Sequence, residues 1–288
     1  MSVYDTITQT IVAALESVKP GDFKMPWHTD KAGIFPTNAV SNKPYRGINI
    51  LALLATAEDK GYDSGLWATF KQWKDLGATV KKGEKSATVV LWKTTKKEGQ
   101  EDETEERHET FFARAFHVFN VAQVEGYEVP AAPVRSANER IERAEAFFAN
   151  TKAEIRTGGG MAYYSPAKDF VQMPSLEVFN DSISYYSVLA HEVTHWAGAS
   201  TRLDRELKNR FGSEAYAAEE LIAELGAAFL CAELELANEP RADHAQYIAS
   251  WIKVLKDDSK AIFTAASKAQ QAADYLKAFQ KDEQRAAA

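Results

Sequence analysis

Cysteine is almost missing from this chain: Cys231 stands alone among 288 residues. That excludes an internal disulfide and any cysteine-based zinc cluster, and its place in the apolar run Phe229–Leu230–Cys231 marks it as a core residue. Also missing is an apolar run long enough to cross a bilayer. Met1–Pro20 carries no basic-then-apolar leader, so the expectation is a cytoplasmic protein with no membrane partner. No internal repeat is visible. A net charge of −7 argues, taken whole, against a nucleic-acid partner. What remains is an ordinary globular composition, 45% hydrophobic and 26% charged, which fits one large or two medium domains.

What is present centres on Tyr185–Gly198, YYSVLAHEVTHWAG. His191 and His195 are four residues apart, so on a helix both imidazoles leave the same face one turn apart, close enough to grip one metal ion. Glu192 falls beside that ion, where its carboxylate can take a proton from a water that the ion has made acidic. This is the HExxH arrangement of zinc-dependent peptide hydrolases. Ser182 or Ser184 can cap the helix, Val188, Leu189, Val193 and Trp196 give it an apolar stripe, and Gly198 can end it. An accidental HExxH is expected in about one chain in a hundred of this length, so the pentapeptide needs its context.

A catalytic zinc usually takes three protein ligands and keeps one open position. No third histidine follows nearby, but a carboxylate-rich helix does: Tyr216–Leu230, YAAEELIAELGAAFL. Glu220 and Glu224 share one face of it. That face continues through Ala227, Ala228 and Cys231, small residues that allow a close helix–helix approach. Glu220 is assigned as third ligand and Glu224 as the acceptor holding a ligand histidine by its other ring nitrogen, with the swapped assignment open. Glu219 points about a hundred degrees away and is the weaker candidate. The ion expected is Zn2+, with Mn2+ or another divalent metal as alternatives.

Charge is unevenly spread. Between Lys19 and Lys97 there are fourteen Lys or Arg against seven Asp or Glu, a local balance of +7, so a basic module precedes an acidic one. Its elements are readable: a helix over Tyr4–Val18; loops at Met25-Pro26-Trp27-His28 and Asn42–Gly47 holding exposed-looking aromatic and basic side chains; and a helix from Ile48 to near Gly61. A short helix follows, opened by a Thr69/Gln72 capping box and ended by Gly77. Gly83 turns a hairpin, VKKGEKSATVVLW, with return strand Ala87–Trp92, and a second long strand runs over Thr110–Val121. Lys96–Glu109 between them is too polar to fold and reads as a mobile loop. Trp27, Trp67, Trp73 and Trp92 are interleaved here with Tyr45, Tyr62, Phe70 and many lysines. Bases stack on aromatic faces while cations follow phosphates, so this mixture suits single-stranded nucleic acid, although any single tryptophan is more often core. Tyr45 with Arg46, Trp73 with Lys74, and Lys81, Lys82 and Lys85 are the candidate DNA contacts; duplex DNA is a further candidate partner.

Glu125–Ser136 is a boundary with two prolines. Beyond it come an amphipathic helix at Asn138–Asn150, short strands within Ile155–Tyr164 and Asp169–Met173, the two motif helices, and packing helices over Asp243–Leu255, with Asp243 and Gln246 as a capping box, and Ser259–Phe279. Gln280–Ala288 should fray. The fold class is therefore α+β in two domains, a small α+β nucleic-acid-binding domain at 1–130 and a metallopeptidase domain at 131–288 with a short sheet and mostly helices.

Several stretches carry a resemblance: KPYRGINILAL, WATFKQWKDLGATVKKGEK and FHVFNVAQVEG in the first half, then YYSPAKDFVQMP, LAHEVTHWAG, RLDR and YAAEELIAELGAAFLCAEL. In this order they resemble the ArdC-type antirestriction proteins of conjugative plasmids, whose first domain is also similar to the N-terminal part of certain plasmid primases. Ala199 departs from the pattern, since a histidine is common after HWAG. The resemblance implies a single-stranded-DNA-binding domain followed by a zincin-like, gluzincin-type domain, and a role in shielding incoming plasmid DNA from host restriction enzymes. Two functions follow. In one, the protein masks DNA; in the other, it is a DNA-directed zinc metalloprotease cleaving proteins on DNA, and protection depends on that cleavage.

Overall fold

The computed structural model describes residues 2–18, 25, 27, 35–95, 110–129, 136–205, 207, 214–236 and 245–280. The expected loop at 96–109, the Asp243 cap, His28 and all but the first residue of the expected frayed end lie outside them. The architecture is α+β in two domains, as the sequence implied.

The first half opens with α1 (Val3–Glu16), started by a Ser2/Asp5 capping box. Then come β1 (Thr37–Asn38), α2 (Ile48–Lys60), β2 (Leu66–Thr69), α3 (Phe70–Asp75), β3 (Thr79–Val80), β4 (Ala87–Thr95), β5 (Thr110–Asn120) and β6 (Val124–Glu125). Helix α2 ends at Gly61, whose φ of 65° is the left-handed backbone that glycine adopts without a Cβ penalty. Thr69 and Gln72 form the expected capping box of α3. The main sheet runs β1-β2-β5-β4, with β1 parallel to β2 and the other pairs antiparallel. Asn49 of α2 closes its outer edge: the amide oxygen accepts from Val90 N–H at 2.7 Å and the amide nitrogen donates to Val90 O at 2.8 Å.

One expected pairing fails. The strand before Gly83 does not form a hairpin with β4; β3 pairs with β6 instead. Gln123 makes that choice, because its carbonyl accepts from Lys81 N–H at 2.9 Å and its side chain donates to Glu84 and to Lys85 O, both at 2.8 Å. A residue forty positions away thus satisfies backbone groups that a local hairpin would have used.

The second half contains α4 (Ala137–Asn150), β7 (Ile155–Thr157), β8 (Tyr163–Ser165), β9 (Phe170–Met173), α5 (Ser182–Ala197), α6 (Glu214–Glu233), α7 (Ala245–Asp257) and α8 (Ala261–Lys277). Its sheet has the order β7-β9-β8, with β9 parallel to β7 and antiparallel to β8. Helix α5 is capped by Asp181, not by Ser182 or Ser184; its carboxylate accepts from Ser184 N–H at 2.7 Å. An aspartate one residue outside the first turn both caps and complements the helix dipole, which a serine inside the helix cannot do.

Packing does not stop at the middle of the chain. One hydrophobic core joins Ile7, Ile11 and Leu15 of α1 and Ile50, Leu51 and Leu54 of α2 to Leu230, Trp251 and Ala269 of the last three helices. Thr8 donates to Ser259 O at 2.7 Å, and the Tyr4 ring lies 4.8 Å from that of Phe263. Cys231 is fully buried in this core.

Candidate metal centre

Helices α5 and α6 lie side by side, and one contact between small residues lets them approach. Gly226 of α6 faces Thr194 of α5 so closely that a Cβ there would stand 2.4 Å from the Thr194 methyl. Thr194 turns its hydroxyl inward to donate to Ala190 O at 2.7 Å, keeping the buried oxygen satisfied. The approach brings His191, His195 and Glu220 together. The two Nε2 atoms are 3.1 Å apart, His191 Nε2 is 3.4 Å from Glu220 Oε2, and His195 Nε2 is 3.6 Å from Glu220 Oε1. Ligands about 2.0–2.1 Å from a tetrahedral ion define an edge of about 3.4 Å between them, so the donor triangle has the size such an ion requires. Among the described residues, these three side chains form a group whose ligand atoms all lie within 4.8 Å of one another.

The surrounding charge points the same way. Glu192, Glu219, Glu220 and Glu224 are all buried, and buried carboxylates are costly unless positive charge accompanies them. Burial pushes the His195 imidazole down, but Glu219 and Glu220 outweigh it and hold the group up at about 10. Burial likewise raises Glu220, and the two imidazoles outweigh that and hold it below the usual carboxylate range. A metal-bound imidazole is deprotonated, so a divalent ion binding here must displace that proton.

Each imidazole has a carboxylate behind it. Glu224, expected to hold a histidine, places Oε2 3.7 Å from His191 Nδ1, and its other oxygen accepts from Trp27 Nε1–H at 3.3 Å. Glu219, set aside as pointing away, is 3.1 Å from His195 Nδ1. Glu219 stays outside the ligand cluster, as the helical wheel implied, but an imidazole presents two nitrogens on opposite sides of its ring, so Glu219 and Glu220 flank the same histidine. Arg205 then grips Glu219 with Nε and Nη2 at 3.0 and 2.8 Å. Glu192 is oriented by the backbone of the edge strand β8: Tyr164 N–H donates to its Oε2 at 2.9 Å. A short strand was expected within Ile155–Tyr164, but not this bond.

The candidate DNA contacts divide. Lys74, Lys81, Lys82 and Lys85 are exposed, with Lys81 Nζ donating to Ala122 O at 2.9 Å. Arg46 is exposed and pairs with Asp274 of α8. Tyr45 is half-buried, and its hydroxyl accepts from Asn38 Nδ2 at 3.4 Å. Trp73 is a correction: it is 0% exposed, and its indole N–H donates to Phe119 O at 2.9 Å, so it is core and offers no face to a base. Trp27 and Met25, expected in an exposed loop, are buried as well, and so is Trp67. Among the described residues of the first half, the aromatic side chains that do face solvent are Phe70, at 57% exposed, and Trp92. Phe70 is the residue beside the lysines that the emphasis on tryptophan passed over.

Comparison with known proteins covers both halves. Residues 1–119 match the N-terminal domain of anti-restriction factor ArdC, and residues 142–268 match a zincin-like metallopeptidase domain. An uncharacterized protein, y4eC, of Sinorhizobium fredii (strain NBRC 101917 / NGR234) is 51% identical over 98% of this chain and 94% of its own length. The DNA primase TraC of Escherichia coli is 35% identical over 93% of this chain, which spans only 26% of the primase. Among solved structures, the metal-free antirestriction ArdC protein from plasmid R388 superposes with a TM-score of 0.78 at 38% identity, covering 98% of this chain and 99% of that one. Its Mn(II)-bound form gives 0.77 at 36% identity, with the same coverage.

Proposed function

From the premise that the chain belongs to the ArdC antirestriction family, we propose that it binds single-stranded DNA through its first half and protects incoming plasmid DNA from host restriction enzymes. The similarity that carries this reading runs through both halves to an antirestriction protein, and not through the metal motif alone. We place the division between a DNA-binding and a metal-binding domain near residue 130. The strand would lie along exposed Lys74, Lys81, Lys82 and Lys85, with Phe70 as stacking face; the combination suits single strands because every base has a π-face.

In the second half His191, His195 and Glu220 would hold a divalent ion, and a set of two nitrogens and a carboxylate at tetrahedral spacing suits Zn2+. The ion supplies Lewis acidity that polarises a carbonyl and acidifies water. Glu192, fixed by the Tyr164 amide, is placed to accept a proton as general base. A peptide could pair with the exposed edge of β8, where Tyr163 is solvent-facing. This geometry favours a second reading, in which the protein is a DNA-directed metalloprotease and protection depends on cleavage.

Glu192→Gln separates the two. The variant keeps metal and single-stranded-DNA binding, the latter falling steeply with salt as phosphate contacts require. Plasmid establishment in a restricting recipient then decides: protection retained supports masking, and protection lost supports proteolysis. Failure of the wild-type protein to bind oligonucleotides would sink both.

A further inference from the structure

The RLDR stretch has no part in the proposed function, yet each of its two arginines reaches the metal centre through another residue. The chain leaves α5 at Ala197, turns back, and covers the helix end: Leu203 N–H donates to Ala197 O at 3.1 Å, and Arg205 N–H to Gly198 O at 2.8 Å. Both guanidiniums then lie at the negative end of the helix, where cations are favoured. Arg205 Nη2 donates to Thr194 O at 2.7 Å and Arg202 Nε to Trp196 O at 2.6 Å.

From these anchors the two side chains diverge. Arg205 holds Glu219 with a fork, and Glu219 meets His195 Nδ1. Arg202 stacks 4.0 Å over the Trp196 ring, pairs with Asp169, and donates to the Tyr164 hydroxyl at 3.2 Å. That hydroxyl donates in turn to Asp169 Oδ1 at 2.8 Å, and the Tyr164 backbone N–H is the one on Glu192. Gly198 makes room for the arrangement. A Cβ there would stand 2.6 Å from Cζ and Nη2 of Arg205, so only glycine lets the guanidinium lie across the helix end.

We propose that the 202–205 turn is a two-armed brace of the metal centre: Arg205 is a positioning residue that orients His195 through Glu219, and Arg202 is one that orients Glu192 through Tyr164. The inference rests on the metal-site reading and goes beyond it in assigning separate duties to the arms. A fork is needed on the first arm, because a lysine can reach Glu219 at one point only and leaves it free to swing.

The test uses the full chain, titrated with Zn2+ and, for its visible spectrum, with Co2+. Arg205→Ala and Glu219→Gln each weaken metal binding by about 10–100-fold and alter the Co2+ spectrum. Arg205→Lys falls between them and wild type, and the Arg205→Ala/Glu219→Gln pair is no worse than either alone. Arg202→Ala leaves metal affinity within about twofold, since its arm ends on no ligand. It instead speeds hydrogen exchange at the Tyr164 amide, which Arg205→Ala does not. Should Arg205→Ala fail to fold, Arg205→Lys and Glu219→Gln carry the measurement. A wild-type protein that binds neither ion overturns the metal site itself. Wild-type binding that is unchanged in these variants, or additive losses in the pair, overturns the brace alone.

Discussion

The two imidazoles are supported unequally. Behind His195 stand Glu219 at 3.1 Å and an arginine fork, all within one short stretch of the second half. Behind His191 stands Glu224 at 3.7 Å, steadied by an indole at 3.3 Å that comes from the first half, 197 residues away in sequence. A charge-assisted fork is strong and directional, while longer contacts from a remote loop orient weakly. One side of the centre is therefore held by a fork from its own half, and the other includes a contact from the first half.

At the level of the ligands the asymmetry should vanish, which is the first way to break the comparison. His191→Ala and His195→Ala each remove one of three donors. We expect both to lower affinity for Zn2+ by more than the ~100-fold that is the upper reach of changes behind a ligand. Calorimetric titration of the two variants checks it. Near-wild-type affinity in either would mean that its nitrogen is not a ligand, whatever stands behind it.

Below that effect lies the helix contact on which both sides depend. Gly226→Ala would drive a Cβ to within 2.4 Å of the Thr194 side chain, and Thr194 is held in place by its bond to Ala190 O. Relief requires α5 and α6 to separate. Overpacking of this kind costs about 1–3 kcal/mol, to be read from denaturant unfolding. Because α6 carries Glu219, Glu220 and Glu224 together, metal binding should weaken whichever histidine is considered. A stable variant with full affinity would show that the contact does not set the spacing.

How much of this was readable beforehand follows from how local each feature is. The HExxH pair and Glu220 were legible because helical periodicity alone puts i and i+4 on one face and marks the alanine-lined side of α6 as buried. The burial of Met25, Trp27 and Trp73 was not, since it depends on what packs over them. Trp73 and Trp27 gave the same local signal as exposed Trp92, and only the tertiary contacts separate them. Pairing of β3 with β6 was hidden for a related reason: a glycine turn signals a hairpin, and the competing partner lies beyond β5. Arg202 and Arg205 were visible as a motif but silent as to duty, because their targets, Asp169, Glu219 and helix carbonyls, are brought to them by three different elements.

The smallest effect is the one that tests the asymmetry most directly. Trp27→Phe keeps a buried six-membered ring and removes the five-membered part of the indole with the N–H that donates to Glu224. A hydrogen bond to a charged acceptor is worth about 1.5–3 kcal/mol when well formed, and this one is long at 3.3 Å, so the low end applies. Part of that loss falls on the docking of the halves, and part reaches His191 through Glu224. Zinc affinity should therefore fall by less than ~10-fold, under the range for a tightly coupled partner of a ligand histidine. Measured beside Arg205→Ala by the same titration, it should be clearly the milder change. The reverse ranking would place the controlling support of the metal centre in the first half, and the His195 side would then be the secondary one.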